Sequence, residues 1–284
     1  MQRITIKILI FTLLLILPGA FAPETRAQAQ GEFSILYGPS MRYDYSAEGN
    51  NNPPSYTADF SGMHQWVDGV EVIIPTSKAS RIGVTYLHGG TSQFGSNYGI
   101  ETVGDYQSAK LNTGFSNFMV TRYKKVSGLD LELMVNFSIL RQMYSRKDFE
   151  INGETFYTVV PGAILDKDDD NEISGEGIGL GIKGQFGDEL FLKYKAFSNF
   201  YLQMHDMKTD KELGEYFSYE LTTGYKYNNF SFEFGYMYHY MFMHSQTNRR
   251  LYLGESAPEG AIISWSQQDM TVQGTFFKVT TFFD

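Results

Sequence analysis

The chain has 284 residues, no cysteine and a formal charge of −9, and it carries 20 tyrosines and 23 phenylalanines. The missing cysteines exclude disulfides, thiolate metal sites, cysteine nucleophiles and a lipoprotein anchor. The acidic balance argues against nucleic-acid binding, which relies on Lys and Arg to neutralise phosphate.

Residues 1–29 read as a signal peptide. Arg3 and Lys7 give a positive start, an apolar run from Ile8 to Leu17 follows, and Ala27-Gln28-Ala29 is a small-x-small cleavage site. The run is short for a spanning helix. The expected mature chain is therefore 30–284, beginning at Gln30. Losing Arg3, Lys7, Arg26 and Glu24 with the leader takes its formal charge to about −11. No later segment approaches the roughly 18 apolar residues of a membrane helix.

Alternating apolar and polar residues then recur along the chain, the signature of strands with one greasy face. The first segment, 32–46, puts Phe33, Ile35 and Tyr37 on one face and Arg42 and Asp44 on the other, with Pro39 marking a bulge. The second, 59–74, alternates cleanly only after Val70, with Glu71 inward. The third, 81–93, has Ile82, Val84 and Tyr86 outward. In the fourth, 107–123, Leu111, Phe115 and Met119 are read as outward and Lys110, Asn112 and Arg122 as inward. The fifth, 129–144, is the cleanest. Leu129, Leu131, Leu133, Val135, Phe137 and Ile139 share one face; Asp130, Glu132, Met134, Asn136 and Ser138 share the other.

An acidic stretch at 145–171 reads as the longest loop. The sixth strand, 173–186, alternates Ile178, Leu180 and Ile182 with Gly177, Gly179, Gly181 and Lys183, and Gly187-Asp188 is a tight turn. The seventh, 189–201, turns Lys193 and Lys195 inward. A polar loop is expected at 203–214. The eighth strand, 215–227, ends in Asn228-Asn229, a hairpin pair tolerant of positive φ. The ninth carries Phe230, Phe232, Phe234, Tyr236, Tyr238, Tyr240 and Phe242 on one face. A long loop is expected at 244–266, and the tenth strand runs over 267–283.

Connections after the even-numbered segments are short and those after the odd-numbered ones long. In this alternation, and in its aromatic content, the mature chain resembles bacterial outer-membrane β-barrel proteins. Gly274, Phe277, Val279 and Phe283 resemble the terminal recognition strand of that class, although Asp284 follows where an aromatic residue usually ends the chain. The resemblance implies an all-β, antiparallel transmembrane barrel of about ten strands, with eight or twelve as alternatives. It further implies short periplasmic turns, long extracellular loops and a place in the Gram-negative outer membrane. Expected partners are membrane lipids, lipopolysaccharide and the barrel-assembly machinery, met through the last strand.

Three constellations bear on chemistry. The first is a lumen charge network expected from Arg42, Asp44, Lys110, Arg122, Asp130, Glu132, Lys193, Lys195, Glu220 and Glu233, with signs near balance. In a barrel this narrow it reads as a plug, or less readily as a selective path. The second is Asp166-x-Asp168-x-Asp170, which resembles the start of an EF-hand calcium loop. Asn171 stands where that loop needs Gly, and Gly177 where it needs a bidentate Glu, so a solvated loop tip is the plainer reading; no other cofactor is expected. The third concerns histidines. The chain resembles omptin proteases in size, strand count and loop polarity, a family that works with an Asp pair and an Asp–His pair at the outer rim. His205-Asp206 lies where such a pair would be wanted, but neighbours on a strand point apart. His244-Ser245 are adjacent, whereas outer-membrane lipid hydrolases separate His and Ser by one residue. These readings favour a non-enzymatic, porin-like surface barrel whose loops bind or stabilise the envelope, or which passes a little solute. An outer-rim enzyme is the alternative.

Overall fold

The computed structural model describes residues 30–49, 56–91, 98–102, 108–126, 129–151, 154–155, 168–206, 209–244, 247–251 and 261–283. The expected leader lies outside them. Three strands open the barrel: β1 (Gly31–Gly49), β2 (Tyr56–Ser77) and β3 (Ser80–Thr91). The short β4 (Tyr98–Thr102) precedes β5 (Ser108–Lys125) and β6 (Leu131–Ile151), and β7 is Glu154–Thr155. Then come β8 (Asp168–Phe186), β9 (Leu190–Asp206), β10 (Thr209–Tyr227) and β11 (Phe230–His244). The short β12 (Thr247–Leu251) and the long β13 (Ala261–Phe283) complete the chain. Long strands pair antiparallel with their sequence neighbours, and β13 pairs with β1. The result is a closed ten-stranded barrel, with β4, β7 and β12 extending its wall at the long-loop end. Closure leaves no barrel strand with an unpaired edge, which is what lets strands cross a bilayer.

The hairpins at the opposite end are tight. Asn228 has φ of 53° and Gly187 of 83°, the positive values such turns need. A Cβ on Gly187 would also lie 2.3 Å from the Leu190 carbonyl oxygen. Above this end the outer wall is a continuous apolar band: Ile35, Val70, Val84, Val120, Val135, Leu180, Leu192, Leu221, Phe232 and Val279 all point outward and are exposed. Such a surface around a whole ring fits lipid, not water. Within the band Leu131, Ile182 and Ala196 are nevertheless buried, covered by Leu129, Tyr194 and Tyr219.

Several stretches expected as loops contain strand. The acidic stretch at 145–171 contributes its start to β6 and its end to β8, and the register sets Lys147 opposite Asp168 and Arg146 opposite Asp169. Likewise 203–206 belong to β9 and 209–214 to β10. These extensions rise past the apolar band, so polarity there marks strand beyond the band, not loss of strand.

Candidate functional site

The lumen is filled, in two layers. Toward the turn end, carboxylates and cations interlock. Arg81 is clamped between Glu32 and Glu132, donating from Nε to Glu132 Oε1 at 2.9 Å. Lys183 donates to Glu32 at 3.2 Å and Lys193 to Glu233 at 2.7 Å. One step further in, Glu71 accepts from Lys195 at 2.8 Å and from Lys278 at 3.0 Å, and Lys195 lies 3.9 Å from Glu220. Hydroxyls occupy the remaining lone pairs: Thr85 and Tyr123 donate to Glu71, and Ser231, Thr222 and Thr280 to Glu233. With Tyr123 from β5, each long strand contributes to this layer. Cations and carboxylates are equal in number, so each desolvated charge has an opposite one at hand, the condition under which buried ions are tolerated.

Toward the loop end the lumen is apolar. Met41, Tyr43, Val67, Leu87, Phe115, Leu140, Phe197, Tyr216, Met237, Met241, Met270, Val272 and Phe276 are buried in one cluster that also takes in Met119 and Met134. His239 lies within it, with Nδ1 2.6 Å from the Tyr216 hydroxyl and Nε2 3.0 Å from Met237 Sδ. At the turn end a vestibule of about 410 Å³ opens below the charged layer, lined among others by Lys78, Lys125, Asp130, Lys226 and Phe282. Lys226 stands over the Phe282 ring at 4.0 Å.

Of the residues expected in the network, Glu132, Lys193, Lys195, Glu220 and Glu233 lie in it. Asp130 does not: it precedes β6, at the vestibule, 3.9 Å from Lys125. Arg42 and Asp44 are on the outer face, paired with each other at 2.8 Å. The cause is the bulge at Pro39. β1 spends one more residue than β2 between Gly38 and Met41, so inward positions change from even to odd, and Met41 and Tyr43 take the lumen. Arg122 also faces outward, and Lys110 shares its register parity, because β5 is turned the other way round. Phe115, Asn117, Met119, Thr121 and Tyr123 point in, while Phe118 and Val120 point out and are exposed. Both faces of β5 carry apolar residues, so alternation alone picked the wrong one.

Glu32 and Arg81 were missed, although their parity was available: Glu32 shares a face with Ser34 and Leu36, and Arg81 with Thr85 and Leu87.

The other candidates lie at strand ends or outside the described residues. Asp168 and Asp170 lie on β8, not in a loop, and Asp166 is outside the described residues, as are the side chains of the other two. No group of three His, Asp or Glu residues suited to a metal occurs among the described residues. His205, Asp206 and His244 end strands, their side chains undescribed, and Ser245 is outside the described residues. Two other histidines have partners on the outer face. His64 Nδ1 lies 3.0 Å from Ser40 Oγ, and His88 Nδ1 lies 3.7 Å from Asp68. At the carboxyl end Phe277, Val279 and Phe283 face outward and are exposed.

No protein-family profile matches the chain, and no curated protein does. Among solved structures it is similar to the outer-membrane protease OmpT from Escherichia coli, at 9% identity and a TM-score of 0.45, covering 92% of this chain and 99% of that one. It is also similar to the β domain of the Bordetella autotransporter BrkA, at 12% identity, a TM-score of 0.36, and 88% and 99% coverage. A Pseudomonas aeruginosa FadL homologue matches at 9% identity, a TM-score of 0.33, and 90% of each chain. The closed antiparallel ring described above rests on this chain's own strand pairings.

Proposed function

We propose that this protein is an outer-membrane surface barrel with a sealed lumen, which acts through what it presents outside the cell and not as an open pore. The carrying observation is the charged layer at the turn end, to which all ten long strands contribute and in which Glu71 alone holds Lys195 and Lys278. An ion crossing it would have to break these contacts in a medium of low polarity, where charge pairs are strong. The strand extensions beyond the apolar band give the outer loops a rigid stem, a suitable base for binding surfaces or for contacts with lipopolysaccharide. Export by the 1–29 leader and insertion through the last strand complete this reading. Calcium at Asp166, Asp168 and Asp170 would be an outer-surface contribution to it. The enzyme alternative would rest on His205, Asp206, His244 and Ser245, whose side chains lie outside the described ones.

The test is electrical. Purified protein in planar bilayers should pass no steady porin-scale current, and a Glu71→Ala, Lys195→Ala, Lys278→Ala variant that still folds should pass a measurable one. A wild-type protein with porin-scale conductance would overturn the sealed-lumen reading.

A further inference from the structure

Between the charged and apolar layers runs a line of neutral polar side chains that the packing leaves short of partners. Asn117 and Asn136 are buried, and neither the amide nitrogen nor the oxygen of either finds a hydrogen-bond partner among the described residues. The same holds for Ser218 Oγ and Asn199 Oδ1. Further toward the loop end it holds for Gln142 Oε1 and Gln65 Nε2, whose other atoms are engaged with Tyr43 and Thr113.

Four of these groups lie together on one side of the lumen. Asn117 is on β5, Asn136 on β6, Asn199 on β9 and Ser218 on β10, one continuous arc of wall. The strand between β6 and β9 is β8, whose lumen face is Gly177, Gly179 and Gly181. Asn136 and Asn199 are both register partners of Gly179. With no side chain on β8, Asn199 lies across it and donates to Ser138 on β6. The arc continues downward, since Ser218 is two residues above Glu220 on the same face and Asn199 is four above Lys195. There a cavity of about 10 Å³ sits among Ser34, Thr85, Lys195, Glu220 and Lys278, at the lower limit for a single water. Below it is the vestibule.

We propose that this seam is a single-file route for water and the smallest neutral hydrogen-bonding solutes, through a lumen that is closed to ions. Native interiors seldom leave both ends of a buried amide unmade, because that forfeits the desolvation cost of each atom. A primary amide offers a donor and an acceptor, so it serves a passing neutral molecule in either orientation. An ion gains little from it and must still break the interlocked layer below. Met119, Leu140 and Phe197 border the same arc and keep it narrow. The proposal goes beyond the sealed-lumen reading, and the two fail separately.

The experiment uses full-length folded protein in phospholipid vesicles, with water flux read by stopped-flow light scattering after an osmotic step and ion conductance read in planar bilayers. Wild-type vesicles should shrink severalfold faster than protein-free ones. Asn117→Leu with Asn136→Leu should return the rate to the protein-free value. Replacing partnerless amides by apolar groups of similar size should preserve folding or improve it, which heat-modifiable gel mobility checks. Should that pair fail to fold, Ser218→Ala with Asn199→Leu asks the same question. Wild-type flux equal to protein-free vesicles overturns the proposal, as does unchanged flux in a folded variant. High ion conductance in the wild type would instead overturn the sealed-lumen reading.

Discussion

At the turn end of the lumen Glu71 meets two lysines, a threonine and a tyrosine, whereas at the loop end Phe115, Tyr216 and Met241 meet other uncharged side chains. Both regions are closely packed, but they respond differently to change. In the first, each partner is specified by charge and geometry, so losing one strands another. In the second, volume matters more than identity, and methionine with its unbranched, flexible side chain tolerates imperfect fit. The difference shows how one narrow tube can be closed rigidly at one end and adaptably at the other.

Three substitutions sharpen the contrast. Glu71→Gln should have the largest effect, about 3–5 kcal/mol, because it removes the carboxylate that accepts from both Lys195 and Lys278 and leaves Lys195 only Glu220 at 3.9 Å. Urea titration of folded fraction by heat-modifiable mobility measures it, and a loss below about 1 kcal/mol, the scale of a surface pair, would mean that the remaining carboxylates, Glu220 and Glu233 among them, hold the lysines without Glu71. Phe115→Ala should cost about 3 kcal/mol through the space it opens, and small apolar molecules should recover part of that loss. Met241→Leu should be the mildest, under about 1.5 kcal/mol, because volume is kept. Were Met241→Leu as damaging as Glu71→Gln, the loop-end layer would be as specific as the charged one and the contrast would collapse.

Much of the architecture is legible in the sequence, because period-two alternation and turn chemistry are local. The ten long strands, the Pro39 bulge and the Asn228 turn all follow from them. Register within the lumen is less so. Alternation equates apolar with outward, and this holds only where the inward face meets water. Here the inward face is packed with side chains and not filled by bulk water, so Phe115 and Met119 gave no sign of facing in, and Arg122 was placed on the wrong side. The bulge was visible, but its effect on parity had to be carried forward to reach Arg42 and Asp44. Similarly, the acidic residues 168–170 read as loop because loops favour charge, whereas a strand beyond the lipid is equally free to carry it.

The pairing of β1 with β13 sets the order of assembly. Ser34 and Thr280 share a hydrogen bond of 2.9 Å although 246 positions separate them. Every other seam of the ring joins strands that are near neighbours along the chain and can zip as hairpins. This one alone must bring the two ends of the barrel together, at the largest loop-closure entropy the chain offers. Both layers of the lumen draw on β1 and β13, through Glu32 and Lys278 below and Met41 and Met270 above. An open sheet therefore has neither layer complete, and the interior sets only when the last strand finds the first.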